Sequence, residues 1–198
     1  MAAPFALVLA AGGSRRFGSP KALARFKGRT LLELAIDRAR VVAGQRFAVV
    51  MGADADALLH TIDLSSSQIF RCDDWQSGHA ASLRFGIKQI PEAAQGALIT
   101  LVDQPLISAE DLRRLIKAWE DKPTNAAAAE FDDATGTPLI GAPCILPRAW
   151  FPAVERLSGD RGASALLRTS SQVLRVPMPS AAYDIDTPED LERLSIQR

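Results

Sequence analysis

Residues 5–21, FALVLAAGGSRRFGSPK, carry the reading on which the fold depends. A short apolar strand runs into a turn of Gly12, Gly13 and Ser14, and the chain then presents Arg15, Arg16 and Lys21. No acidic side chain occurs before Glu33, although the whole chain balances 23 basic against 23 acidic residues. Arg15, Arg16, Lys21, Arg25, Lys27 and Arg29 thus concentrate positive charge beside one turn of a protein with no global field. Backbone N–H groups at such a turn, and at the helix that follows it, form an anion cradle, and Arg and Lys add charge-assisted bonds to phosphate. The pattern suits a nucleoside triphosphate.

Two familiar phosphate motifs do not fit. Gly13 and Gly18 have the first spacing of a P-loop, but Ser19 and Pro20 stand where Lys and Ser/Thr should follow, and G-x-G-x-x-G is absent. The competing reading is an ordinary strand-to-helix turn with a solvated basic flank. The density of glycine beside base charge favours the phosphate loop.

At 198 residues and 47% hydrophobic content the chain can fill one substantial core and is short for two, so residues 1–198 read as a single domain. The run MAAPFALVLAAGG has the apolar character of a signal peptide, but its arginines follow it and no basic residue precedes it, so it reads as a first strand. No stretch reaches the roughly 18 apolar residues of a membrane span. Cys72 and Cys144 form no CxxC, and only His60 and His79 accompany them, which argues against a zinc site or a disulfide framework and for a reducing cytoplasm. The basic cluster is confined to one loop and its helix, too small for a stripe that tracks a nucleic-acid backbone. Neither a nucleic acid nor a membrane is expected as a partner.

Apolar runs at residues 5–9, 47–51, 69–72 and 97–102 alternate with segments of helical period, the rhythm of an α/β protein with a largely parallel sheet. Thr30 and Glu33 form a capping box and Gly44 closes the helix they open. Ser108 and Asp111 open another, whose Ala109, Leu112, Leu115, Ile116 and Trp119 make an apolar stripe read as core. Residues 125–130 read as a strand, 131–143 as loop, 145–157 as helical and 172–177 as a late strand. Thr187 as N-cap, Pro188 at the first helical position and Asp190 in the first turn start a terminal helix. The expected architecture is a three-layer αβα sandwich.

In such a sheet ligands gather beyond the carboxyl ends of the strands. Asp103 follows ALITLV directly and precedes Gln104-Pro105, which sets a carboxylate at that rim; Asp186, in YDIDTPEDL, is a second candidate. Two such carboxylates could hold a Mg²⁺, which takes oxygen ligands and commonly binds through one or two carboxylates plus substrate phosphates. Taken singly, Asp103 also reads as a turn residue and Asp186 as a cap. Joined to a triphosphate loop they would hold the metal that bridges its oxygens.

The segment LAAGGSRRFGSPKAL resembles the L-A-A-G-x-S-x-R-M-G-x-x-K signature of MobA-like nucleotidyltransferases, in the MocA-like branch that contains molybdenum cofactor cytidylyltransferase. Five further blocks extend the resemblance in order: SGHAASLRFGI at 77–87, VDQPL at 102–106, GAPCILPRAWF at 141–151, GDRGA at 159–163 and DIDTPEDL at 184–191. The resemblance implies a Rossmann-like nucleotidyltransferase fold and transfer of CMP from CTP to the terminal phosphate of molybdopterin, with release of pyrophosphate. It further implies a nucleotide-binding N-terminal half, an acceptor-binding C-terminal half, and a molybdenum hydroxylase as transient partner receiving the product. Leu9, Ala10, Ala11, Gly12, Gly13 and Ser14 would enclose the nucleotide, with Arg16 and Lys21 neutralising phosphate charge. Gly78, Ser82 and Leu83 would meet base and sugar, Asp103 and Asp186 would hold Mg²⁺, and Asp160 and Arg161 would serve the acceptor. Arg16, Lys21 and Asp103 are thereby the implied catalytic residues. His79 reads as a surface polar residue.

A phosphate acceptor attacks the α-phosphorus itself, so positioning and charge neutralisation suffice, in keeping with Ser14, Ser82 and Ser164 having no evident His partner. The chain departs from the pattern at Phe17, where Met is usual, at Asp73, where Asn is common, and at Ser164, where the branch has Arg. The lost guanidinium fork leaves another phosphorylated acceptor, such as a sugar phosphate, open. Leu-Ala-Ala-Gly, against the Leu-Ala-Gly-Gly of guanylyltransferase relatives, points to cytosine. A non-catalytic carrier of the finished cofactor is the alternative of another class.

Overall fold

The computed structural model describes residues 4–196, so residues 1–3 at the start of the signal-like run, and residues 197–198, lie outside it. In chain order the elements are β1 (Phe5–Ala10), β2 (Arg25–Phe26), β3 (Arg29–Thr30), α1 (Leu31–Ala43), β4 (Phe47–Met51), α2 (Ala55–Thr61), β5 (Gln68–Arg71), α3 (His79–Lys88) and β6 (Gly96–Leu101). They continue with α4 (Ala109–Asp121), β7 (Ala126–Asp132), β8 (Pro138–Pro147), α5 (Phe151–Glu155), α6 (Ala163–Leu167), β9 (Val173–Pro177) and α7 (Pro188–Ile196). Seven strands form one sheet in the order β5-β4-β1-β6-β8-β7-β9, while β2 and β3 pair apart as a small antiparallel ribbon.

Strand β1 lies between β4 and β6 and is parallel to both, so Ala10 ends beside Met51 and Leu9 beside Leu101. Phe5 to Val8 are buried on both faces, and the two core clusters divide the sheet's neighbours between them. Leu31, Leu32 and Ile36 of α1, Leu112, Leu115 and Trp119 of α4 and Leu194 of α7 cover one face. Leu83 and Ile87 of α3, Phe151 and Val154 of α5 and Leu167 of α6 cover the other. This is the expected αβα sandwich, with a Rossmann-like sheet. Three reciprocal capping boxes start the helices of the first face: Thr30 with Glu33, Ser108 with Asp111, and Thr187 with Asp190.

The segment read as loop is a correction. Residues 131–143 end β7, turn, and enter β8, the one strand that runs against the other six. The turn is held by Asp133, whose Oδ1 accepts from the backbone N–H of Thr135 at 2.8 Å and of Thr137 at 3.0 Å. Turn residues and two prolines masked the strand in the sequence. Residues 145–147, expected to open a helical stretch, are the end of β8, and α5 begins only at Phe151. Register passes from Ala128 opposite Cys144 to Ala129 opposite Gly141, so Ala142 and Pro143 are extra residues on β8. Such a bulge re-aims backbone groups, and here it carries Ala142 to the wall of the cleft.

Among the described residues no helix is long and apolar enough to cross a membrane.

Candidate active site

A cleft of about 500 Å³ opens beyond the carboxyl ends of β1 and β6, where a doubly wound sheet gathers its ligands. Leu9, Ala10, Ala11, Gly12, Gly13, Ser14, Arg16 and Lys21 line one side. Gly78, Ser82 and Leu83 form the wall towards α3, with Asp103 and Asp186 at the floor and Asp160 on the far rim. Of the site residues implied by the resemblance Arg161 alone lies outside the lining, which passes from Asp160 to Gly162, and of the basic cluster Arg25, Lys27 and Arg29 do not reach it. His79, read as a surface residue, is exposed and also lines the cleft.

The loop shapes itself through Ser14. Its backbone takes φ 47°, its carbonyl accepts from the N–H groups of Phe17 and Gly18 at 3.0 Å each, and its hydroxyl accepts from the N–H of Lys21 at 3.0 Å. Lys21 is thereby aimed inward. Its ammonium donates to Asp103 Oδ2 at 2.7 Å and to Asp186 Oδ1 at 3.2 Å, while Arg16 meets Asp186 Oδ2 from the open side at 3.1 Å. Burial works against the Lys21 charge, but Asp103 first and then Asp186 outweigh it and hold the ammonium above its ordinary value. Residues 82 and 165 positions apart in the chain therefore meet at one ammonium.

The two carboxylates are joined through the backbone, since the N–H of Ile185 donates to the carbonyl of Asp103 at 2.9 Å. Beneath them Gln104 is buried and its Nε2 donates to the carbonyls of Ala142 at 3.1 Å and Ala181 at 3.3 Å. Arg38, on α1, donates to the carbonyls of Gln104, Pro105 and Ile107 at 2.9–3.1 Å. Burial draws its guanidinium down to about 10, still charged at neutral pH. Asp103 is thus held from α1, from the β8 bulge and from the segment leading to Asp186.

One oxygen at this floor has no partner among the described residues: Asp103 Oδ1 is buried without a hydrogen bond. An orphaned carboxylate oxygen beside a second carboxylate is a donor set for a hard, oxygen-seeking cation. Among the described residues no group of three or more His, Cys, Asp or Glu side chains could hold a metal ion. An ion here would complete its shell with water or with oxygens of a ligand, which suits Mg²⁺ or Mn²⁺ bound with a triphosphate.

The α3 wall is locked to the far rim. Gly78 has φ 100°, and a Cβ added there would stand 2.5 Å from the carbonyl oxygen of Gly159. That carbonyl accepts from the N–H of Ala80 at 2.9 Å, and Arg84 donates to the carbonyl of Leu157 at 2.8 Å. On the loop side Gly52 packs against Ala11 and Trp75, its place for a Cβ lying 2.5 Å from the Ala11 carbonyl oxygen and 2.7 Å from Trp75 Cβ.

Sequence reasoning missed Trp75 and Gln76 on the cleft wall, Ala142 in the bulge and Asp184 beside the carboxylate pair. Asp184 has an exposed edge, yet the protein around it and the negative charges of Asp103 and Asp186 push its carboxyl up to about 6. The available signal was the second carboxylate of Asp184-Ile185-Asp186, two positions before Asp186 across a buried Ile185. Nothing near Trp75 or Ala142 in the sequence marks them.

A glycine loop that offers Lys and Arg over two carboxylates at the strand ends defines an α/β protein that handles nucleoside triphosphates. A family model described as "MobA-like NTP transferase domain" matches residues 6–175. The chain belongs to the MobA-like family of nucleotidyltransferases. It is 32% identical over 193 residues to "Nicotine blue oxidoreductase" of Paenarthrobacter nicotinovorans, covering 95% of this chain and 94% of that protein. It is 30% identical over 195 residues to "Probable molybdenum cofactor guanylyltransferase" of Rhodopirellula baltica, covering 93% and 88%. The crystal structure of Rv0371c from Mycobacterium tuberculosis superposes with a TM-score of 0.84 at 28% identity, over 99% of this chain and all of that one. The same protein is also known in complex with manganese, with a TM-score of 0.80 at 27% identity over 98% of each chain.

Proposed function

We propose that the protein transfers CMP from CTP to the terminal phosphate of molybdopterin, giving the cytosine dinucleotide and pyrophosphate. The observation that carries the reading is the convergence of Lys21, Asp103 and Asp186 below the Gly12-Gly13 turn. In this reading the backbone of residues 11–14 receives the triphosphate, and Lys21 and Arg16 neutralise its negative charge. Asp103 and Asp186 hold Mg²⁺, which when bound draws charge from the phosphate oxygens and the leaving pyrophosphate. Gly78, Ser82 and Leu83 hold base and sugar, and Trp75 adds an aromatic face to the same wall.

The N-terminal half thus serves the donor. Asp160, Arg161 and the loop that follows, from the C-terminal half, serve the acceptor. An acceptor phosphate is already ionised near neutral pH, so the residues' work is to bring it in line with the α-phosphorus and to shield the charge that develops. Ala11 supports cytosine over guanine by the Leu-Ala-Ala-Gly resemblance. The expected setting is the cytoplasm, with a molybdenum hydroxylase receiving the product.

The triphosphate-and-metal arrangement favours transfer over two other readings: a redox reaction of the sort one relative's name describes, and a non-catalytic carrier. Purified protein with Mg²⁺, molybdopterin and radiolabelled CTP or GTP tests the proposal. Pyrophosphate release with CTP alone is expected. Release with GTP alone reverses the base, release only with another phosphorylated acceptor moves the substrate, and tight binding of the dinucleotide without turnover favours the carrier.

A further inference from the structure

On the reading that a divalent ion joins Asp103 and Asp186 to a bound triphosphate, we propose that Lys21 is a resident counter-cation that keeps the metal site closed until nucleotide arrives. The ammonium already occupies the position that a shared ion would take, 2.7 Å from Asp103 Oδ2 and 3.2 Å from Asp186 Oδ1. An ion using the same two oxygens would stand a few ångströms from a second positive charge. The Lys21 side chain is only 14% exposed, so water screens that repulsion poorly.

Nor can the ammonium simply leave. Among the described residues its hydrogen bonds go only to these two carboxylates, and a half-buried ammonium without an anion is costly. A triphosphate supplies the missing anion. The Lys21 backbone is fixed by the Ser14 hydroxyl at 3.0 Å, so the side chain can pivot from the carboxylates to phosphate under the glycine turn without moving the loop. It thereby frees two oxygens for the metal beside Asp103 Oδ1, which has no partner of its own. Metal alone should bind weakly, metal and nucleotide each should tighten the other, and the coupling runs chiefly through Lys21, since Arg16, the other cation on Asp186, is 73% exposed and screened by water. By linkage the two enhancements are equal, and factors of about 5–150 are usual for such coupling.

The test is Mn²⁺ titration of the full chain, with protein-bound ion counted by electron paramagnetic resonance against protein-free controls. It is run without nucleotide and with α,β-methylene CTP, on the unaltered protein and on Lys21→Met, Lys21→Gln and Asp103→Asn. The lysine variants should bind Mn²⁺ alone about tenfold tighter than the unaltered protein and lose most of the enhancement by the analogue. Unchanged or weaker Mn²⁺ binding in folded Lys21 variants overturns the proposal. If those variants do not fold, the unaltered protein decides alone, since equal Mn²⁺ affinity with and without the analogue overturns it. Analogue-dependent Mn²⁺ uptake that needs Asp103 but ignores Lys21 ends this inference and leaves the proposed function standing. No bound Mn²⁺ in any arm ends both.

Discussion

The two halves of the sheet are built by different means. On one side β5, β4, β1 and β6 run parallel, β4 and β1 as continuous apolar runs, and the carboxyl end of each delivers a cleft residue through the next few positions. On the other side β8 reverses against β6 and β7, interrupted by Pro143 and a bulge, and contributes through the carbonyl of Ala142. The first side is specified locally, by strands and capping boxes. The second depends on partners far away in the chain, and while β7 and β9 read as strands beforehand, β8 between them did not.

Asp103 stands where the halves meet, and its variant should give the largest effect. Asp103→Asn should lower pyrophosphate release on the order of 1,000-fold, several kcal/mol of barrier, while the thermal midpoint stays close to that of the unaltered protein. Full activity in that variant would remove the metal role.

Arg38→Met attacks the support from below, exposing three buried carbonyls that now share one guanidinium. A cost of up to about 3 kcal/mol in urea unfolding is expected, with a raised Mn²⁺ requirement if the 104–107 segment loosens. Gly78→Ala tests the joint between α3 and the far rim. A left-handed φ and a carbonyl at 2.5 Å from the new Cβ predict about 2 kcal/mol of destabilisation by the same measurement. Equal stability would mean the rim yields freely and the halves are not locked there.

Thr30→Ala probes the local construction of the first half and should cost about 1 kcal/mol, as loss of an N-cap does. The same boxes set a small acid dependence. Glu33 is held below its ordinary value by the Thr30 N–H and hydroxyl. At Asp111 and Asp190 burial opposes the charge but the cap bonds outweigh it. Carboxyls depressed in the folded state stabilise it above the ordinary carboxylate value of about 4, and that stability is lost as pH falls through their lower folded values. Thermal midpoints should show no loss from the caps between pH 7 and 5 and a decline below about pH 4, shallower in Thr30→Ala.

The placing of the glycine loop, the strand ends and both floor carboxylates at one cleft was legible because each is a short run whose neighbours lie within a few residues. Lys21 and Asp103 were named from sequence, and the structure brings them to 2.7 Å. The role of Ser14 in shaping the loop was not visible, since a serine in such a loop reads equally as a ligand to nucleotide. β8 was lost because strand pairing is a long-range property: Asp133, Gly136 and Pro138 announce a turn, whereas the partners that make Pro138–Pro147 a strand lie in β6 and β7. Gln104 read as part of a motif, yet its partners Ala142 and Ala181 lie 38 and 77 positions away.

The bond from Ile185 to the carbonyl of Asp103 has a consequence for synthesis. A growing chain presents Ser14 and Lys21 early, but Asp186 leaves the ribosome only after the nine strands among the described residues have been made. Lys21 therefore cannot gain its second carboxylate partner until β9 has been made. The three charges meet in one late step, when the backbone at Ile185 seats against the carbonyl of Asp103.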